Sequence, residues 1–138
     1  MDPLSITVST ITLLNAVEAI VTKIKNIRNA NNELLAVSDE LSDFERLLRQ
    51  TKSLIKQHGS DLPEDQLFDL SALLGKAEAK FSELEMITQH RVVKLEAGGK
   101  IKALKLAWTR EASHITAPQN SLKSITQKLS ILLSNISL

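Results

Sequence analysis

The first twenty-eight residues constrain this chain more than any other stretch. From Leu4 to Val21 the only charged residue is Glu18. Ile6, Leu13, Val17, Ile20, Ile24 and Ile27 form one apolar stripe at three- and four-residue steps, and Leu4, Val8, Ile11, Leu14 and Val21 form a second. The wedge between them is mostly small: Ser5, Ser9, Thr12, Ala16 and Ala19. Asp2 and Pro3 supply a helix start, a capping carboxylate followed by a residue whose missing N–H the first turn does not need. A surface helix needs one apolar stripe. A helix with nearly two is either wrapped by other helices or has a second apolar environment to enter.

Length alone does not make this segment a solitary membrane span. Residues 4–21 reach about 27 Å as a helix, close to the ~30 Å hydrocarbon core. Yet Ser5, Thr7, Ser9, Thr10, Thr12, Asn15 and Glu18 are a heavy polar load for one helix in lipid. Nor is it a secretory signal, because Asp2 stands where a basic n-region would be.

The rest of the chain reads as further amphipathic helix. At 138 residues it forms a single domain, and 43% hydrophobic residues with four Gly and three Pro point to an ordered all-α fold. A net charge of +1 gives no reason to expect nucleic acid, and the absence of Cys rules out a disulfide frame or a Cys-based zinc site.

The expected helices cover about 3–28, 32–57, 62–89, 100–114 and 117–137. Asn29-Ala-Asn-Asn32 breaks the first from the second. The second has the seam Leu34, Val37, Leu41, Phe44, Leu48, Thr51, Ile55, with Glu45 placed to pair with Arg49. Gly59 ends it, and Asp61-x-x-Glu64 reads as a capping box for the third. That third helix carries Leu67, Leu70, Leu74, Ala77, Phe81, Leu84 and Thr88. Residues 90–99 either extend it or form a bent connector, with Gly98-Gly99 as the stop. Leu104 and Trp108 point inward from the fourth. Thr116-Ala-Pro-Gln119 either caps a fifth helix or is the site where Pro118 kinks one long helix. The last seam is Leu122, Ile125, Leu129, Leu132 and Ile136. Four to five helices with short connections make an up-and-down bundle, with the highly apolar first helix deepest.

The opening Met1-Asp-Pro-Leu-Ser-Ile-Thr7, the run Ile11–Val21, the stretch Glu33-Leu-Leu-Ala-Val-Ser-Asp-Glu-Leu-Ser-Asp-Phe-Glu-Arg-Leu-Leu48 and a late Trp108 before a Leu/Ile helix resemble the N-terminal domains of fungal STAND proteins, the NOD-like receptors of filamentous fungi, in the HeLo-like group. The resemblance covers essentially the whole chain. It implies a helical bundle placed ahead of a nucleotide-binding oligomerisation domain, with a role in signalling or regulated cell death in incompatibility, defence and innate immunity. In some relatives the N-terminal helix acts on membranes. Some of those have glycine-spaced N-terminal helices, whereas residues 1–58 here contain no Gly. No nucleotide-binding domain follows Leu138, which implies an excised module or a short stand-alone member.

Candidate chemistry is sparse. His58, His90 and His114 are the only candidate general bases, and each falls near an expected helix end, where it suits the dipole. No catalytic, metal or cofactor site is expected, and no Gly-rich phosphate loop exists. Two surfaces stand out instead. Leu4, Val8, Ile11, Leu13, Leu14, Val17, Ile20 and Val21 are candidates for membrane contact or oligomerisation. Arg91, Lys94, Lys100, Lys102, Lys105 and Arg110, opposed only by Glu96, form a candidate anionic-lipid patch. Each has a plain structural alternative: a core helix for the first, a solvated basic face for the second. The expected partners are a second copy of the chain, anionic lipids and a downstream nucleotide-binding domain, at a cytoplasmic location with recruitment to the inner face of the plasma membrane. The competing expectation is an adaptor module that self-associates without touching lipid.

Overall fold

The computed structural model describes residues 3–26, 32–96 and 101–136. At residue 33, and over 89–96 and 101–116, it describes the backbone only. Four α-helices follow one another: α1 (Pro3–Lys25), α2 (Asn32–His58), α3 (Glu64–Glu96) and α4 (Ile101–Asn135). A short 3-10 turn, Gly59–Asp61, precedes α3, and there is no strand among the described residues.

The helices form two hairpins laid side by side. α1 packs chiefly on α2, and α3 on α4; across the hairpins α1 meets α3 and α2 meets α4. The consecutive pair α2 and α3 is therefore diagonal, which is why its connection is a turn of its own. Gly59 sits at the seam of that turn. A Cβ there would lie 3.0 Å from the Cβ of Pro3 and 3.3 Å from the Cγ2 of Ile55, so the start of α1 rests directly on the end of α2.

The expected seams converge on one core. Leu34, Leu41, Phe44, Leu48, Leu70, Leu74, Phe81, Leu84, Leu122, Ile125 and Leu129 are buried, with Leu132 half-buried against them. The side chains of Leu104 and Trp108 lie outside the described residues. Among the described residues Phe44 and Phe81 are the two largest fully buried side chains, one from each hairpin.

Three local expectations change. α3 does not stop near 89 but runs to Glu96, because no residue before Gly98 interrupts it. α4 is one helix through Pro118, not two. The Pro118 ring is buried, and its missing N–H removes one backbone bond without ending the helix. Asp61 does not stand at the N-cap of α3, which begins at Glu64. Asp61 is taken into the 3-10 turn, and the Pro63 carbonyl accepts the Leu67 N–H at 3.1 Å as the first bond of α3. Glu64 and Asp65 still place negative charge in that first turn. The ends expected at 28 and 137, and the stop at Gly98-Gly99, lie outside the described residues.

Buried threonines test how the core handles polar atoms. Thr10 and Thr51 each donate their hydroxyl to the carbonyl four residues back, Ile6 at 2.7 Å and Leu47 at 2.8 Å. Thr88 is fully buried and its Oγ1 has no hydrogen-bond partner among the described residues. Thr88→Val should therefore raise unfolding free energy by about 1 kcal/mol in a urea titration, because it removes an unsatisfied buried hydroxyl. Gly75→Ala should add about 0.5–1 kcal/mol, since a Cβ there meets nothing within 4 Å and helix propensity improves. Phe44→Ala should cost about 3–5 kcal/mol in the same titration.

Candidate functional site

The surface that matters is built on α1. Its first stripe is sealed from Ile6 to Ile24: Ile6, Leu13, Val17, Ile20 and Ile24 are buried between α2 and α3, and Ile27 lies outside the described residues. The second is divided. Leu14 and Val21 are buried and Ile11 is half-buried, but Leu4 is 67% exposed and Val8 57%. The cause is topological. α1 touches only α2 and α3 substantially, so the side of its first three turns that faces away from both has no helix to cover it.

That outer side is uncharged. Leu4, Val8, Thr12, Asn15 and Ala19 are exposed along it, and Glu18 at its edge is tied to α2. Arg49 places one guanidinium nitrogen 2.6 Å from Glu18 Oε1 and 2.6 Å from Glu45 Oε1. The hydrogen bond to Glu18, followed by the charge of Glu45, holds the Arg49 pKa above its ordinary value. This exposed bridge joins α1 to α2 at the edge of the buried stripe, which sets the face that α2 receives.

The polar load of α1 is lighter than its sequence suggests. Thr7 donates to the Pro3 carbonyl at 3.0 Å, Thr10 to Ile6 at 2.7 Å and Thr12 to Val8 at 2.9 Å. Hydroxyls satisfied within their own helix need no outside partner in an apolar medium. On the α3 side the small residues line a groove of about 330 Å³. Ser5 and Ser9 face Ser71 and Gly75 across it, over a floor of Ile6, Leu13 and Leu74. By length and composition α1 could cross a membrane, a test that the core helix of a soluble bundle also passes.

The basic segment lies elsewhere. Arg91 and Lys94 fall in the last turns of α3, and Lys102, Lys105 and Arg110 in the first turns of α4; their side chains, and Lys100 entirely, lie outside the described residues. α1 and α3 start at the same end of the bundle and run parallel, so these positions stand at the opposite end from Leu4. The 23 residues of α1 separate the two by roughly 30 Å or more. At the end of the bundle where α1 and α3 start, the exposed acidic residues Asp61, Glu64, Asp65 and Asp69 share the surface with Lys56 in the last turn of α2.

Little here resembles a catalytic site. His58 closes α2 in its last turn as expected, but His90 and His114 lie inside the continuous α3 and α4, so neither caps a helix end. Among the described residues no group of three or more His, Cys, Asp or Glu could hold a metal ion.

Residues 8–129 match the family model SesA, described as an N-terminal domain on NACHT_NTPase and P-loop NTPases. No curated protein and no solved structure matches the chain. The matched segment covers most of the sequence, and the chain belongs to this family. The matched segment begins after the opening heptapeptide and takes in stretches of all four helices. The family places the chain as the non-catalytic N-terminal domain of a STAND-type architecture.

The split along α1 has a measurable consequence. Leu4→Ser and Val8→Ser should each leave unfolding free energy within about 0.5 kcal/mol of the parent, as exposed positions do. Ile20→Ala should cost about 2–5 kcal/mol, as at other buried sites. Chemical denaturation of the three variants checks the contrast.

Proposed function

We propose that this SesA-family domain is the N-terminal signalling unit of a fungal NOD-like receptor, acting in regulated cell death by clustering and by engaging anionic membranes through α1. The observation that carries the reading is the open start of α1: Leu4 and Val8 exposed, Ile11 half-exposed, on a side without charge. It is supported by the back-bonded threonines, which lower the penalty for lipid contact.

The contact uses the bundle as it stands. Moving seven buried apolar residues of α1 into water would forfeit about 10–20 kcal/mol, at ~1.5–3 kcal/mol per side chain. That rivals the whole net stability of a domain, ~5–15 kcal/mol. Three apolar side chains already outside the core need no such release. They give a weak anchor, so a second attraction is required. The basic positions at the far end supply it if the bundle lies lengthwise on the surface, with the uncharged side of α1 down. The carboxylates at the Leu4 end, Asp61, Glu64, Asp65 and Asp69, repel the same lipids and are offset only in part by Lys56, which makes that second attraction necessary. A downstream nucleotide-binding domain that clusters several copies multiplies the weak contacts. The site of action is then the cytoplasmic face of the plasma membrane.

The second reading is an adaptor that binds protein and not lipid. It is favoured by the groove between α1 and α3, whose small residues suit a close helix–helix approach. Co-sedimentation with phosphatidylcholine vesicles, with and without phosphatidylserine, separates the two. Binding should require phosphatidylserine, fall at least about tenfold in Leu4→Ser/Val8→Ser, and fall similarly when Lys100, Lys102 and Lys105 are changed to Gln. Self-association with no binding to either vesicle selects the adaptor.

A further inference from the structure

α2 carries a surface that the membrane reading does not use. Its ridge turned away from the other helices holds Leu35, Asp39, Asp43, Arg46, Gln50 and Ser53, all exposed. The charges along the helix are segregated: Asp39, Glu40 and Asp43 come first, then Arg46, Arg49, Lys52 and Lys56. The helix dipole does not account for this order, because its effect fades within the first and last turns and most of these residues lie between them. Nor do pairs within the chain. Arg49 is occupied by Glu18 and Glu45, whereas Asp39, Asp43 and Arg46 form no ion pair among the described residues. Lys123 of α4 lines the same shallow depression as Asp43 without bridging to it. Beside the ridge runs an open groove of about 610 Å³, bordered by Lys25, Ser42, Arg46, Gln50 and Ser53.

We propose that this ridge is a self-association surface whose occupant is α2 of a second copy of the chain, antiparallel about a two-fold axis between positions 44 and 45. Reversal sets the acidic half of each helix against the basic half of the other. In that register Asp43 meets Arg46 of the second copy and Asp39 meets Gln50, each contact made twice by symmetry. Parallel pairing would set like charge on like, so the pattern selects the antiparallel arrangement. Ser42 and Ser53 leave the open groove into which side chains of the second helix fit. A single helix pair belongs to the small, transient class of interfaces, so its contact is weak until copies are held together. It supplies the clustering step of the proposed function and rests on that reading for its purpose. Its test contains no membrane, so the two fail separately.

Sedimentation velocity over a concentration series, at low and at high salt, reads the association directly. The 138-residue chain should dimerise more tightly at low salt. Asp43→Arg and Arg46→Asp, each placing two like-charge contacts in a homodimer, should each weaken it at least about tenfold while circular dichroism shows unchanged helix. The double variant Asp43→Arg/Arg46→Asp should regain the parent affinity. An equimolar mixture of the two single variants should associate where neither does alone, since only the mixed pair sets opposite charges together. A parent chain that stays monomeric at ~1 mM, single variants that associate as tightly as the parent, or a mixture no tighter than its components would each overturn the proposal.

Discussion

Everything in this molecule turns on how much of α1 two neighbours can cover. Eight of its residues are buried, among them Val17 and Ile24 with no exposed surface. That stripe is the wall against which both hairpins close. A helix in a four-helix bundle has two adjacent partners and one diagonal one, so roughly half its circumference is left to solvent. For most helices the sequence matches that geometry with a polar outer side. α2 does so with Asp39, Asp43, Arg46 and Gln50. The other helices also leave apolar side chains outside, Leu35, Phe68, Met86 and Ile131, but α1 leaves two of them, Leu4 and Val8, one turn apart in its first three turns.

The same geometry divides the surface into regions with different chemistry. The uncharged side of α1 lies next to the small-residue groove toward α3, while the segregated charges of α2 face outward from the other side of the first hairpin. The Arg49 bridge marks the border between them, joining Glu18 of α1 to Glu45 of α2. The basic positions of the second hairpin are far from the apolar start of α1. Any account that uses both must let the domain lie along a surface, because a bundle standing on end presents only one.

Much of this was legible in the sequence. The 3-4 seams of α2 and α3 marked their buried faces directly, since Leu41, Phe44, Leu70, Phe81 and Leu84 have polar neighbours on either side. The seam of the last helix was equally plain at Leu122, Ile125 and Leu129. For α1 the periodicity identified two stripes but could not rank their exposed turns. Ile6 and Val8 look alike in sequence, and only the positions of α2 and α3 decide that one is buried and the other open. Pro118 is a similar case. Proline in a first turn and proline inside a tolerant helix share the same local context, and a buried ring within α4 is decided by tertiary packing. His90 and His114 lie inside α3 and α4 because both helices run on past the residues where local sequence alone suggests an end. The back-bonds of Thr7, Thr10 and Thr12 were hidden because composition counts hydroxyls without asking where they donate.

The central claim is that the buried stripe of α1 stays in the bundle while its exposed start makes contact. Hydrogen exchange resolved along α1, in solution and with vesicles containing phosphatidylserine, tests it most directly. The account predicts that amides from Leu13 to Ile24 keep their slow exchange on vesicles, with changes confined to residues 4–11. Loss of protection through Val17 and Ile24 on binding would mean that the whole helix leaves its partners, and would contradict it.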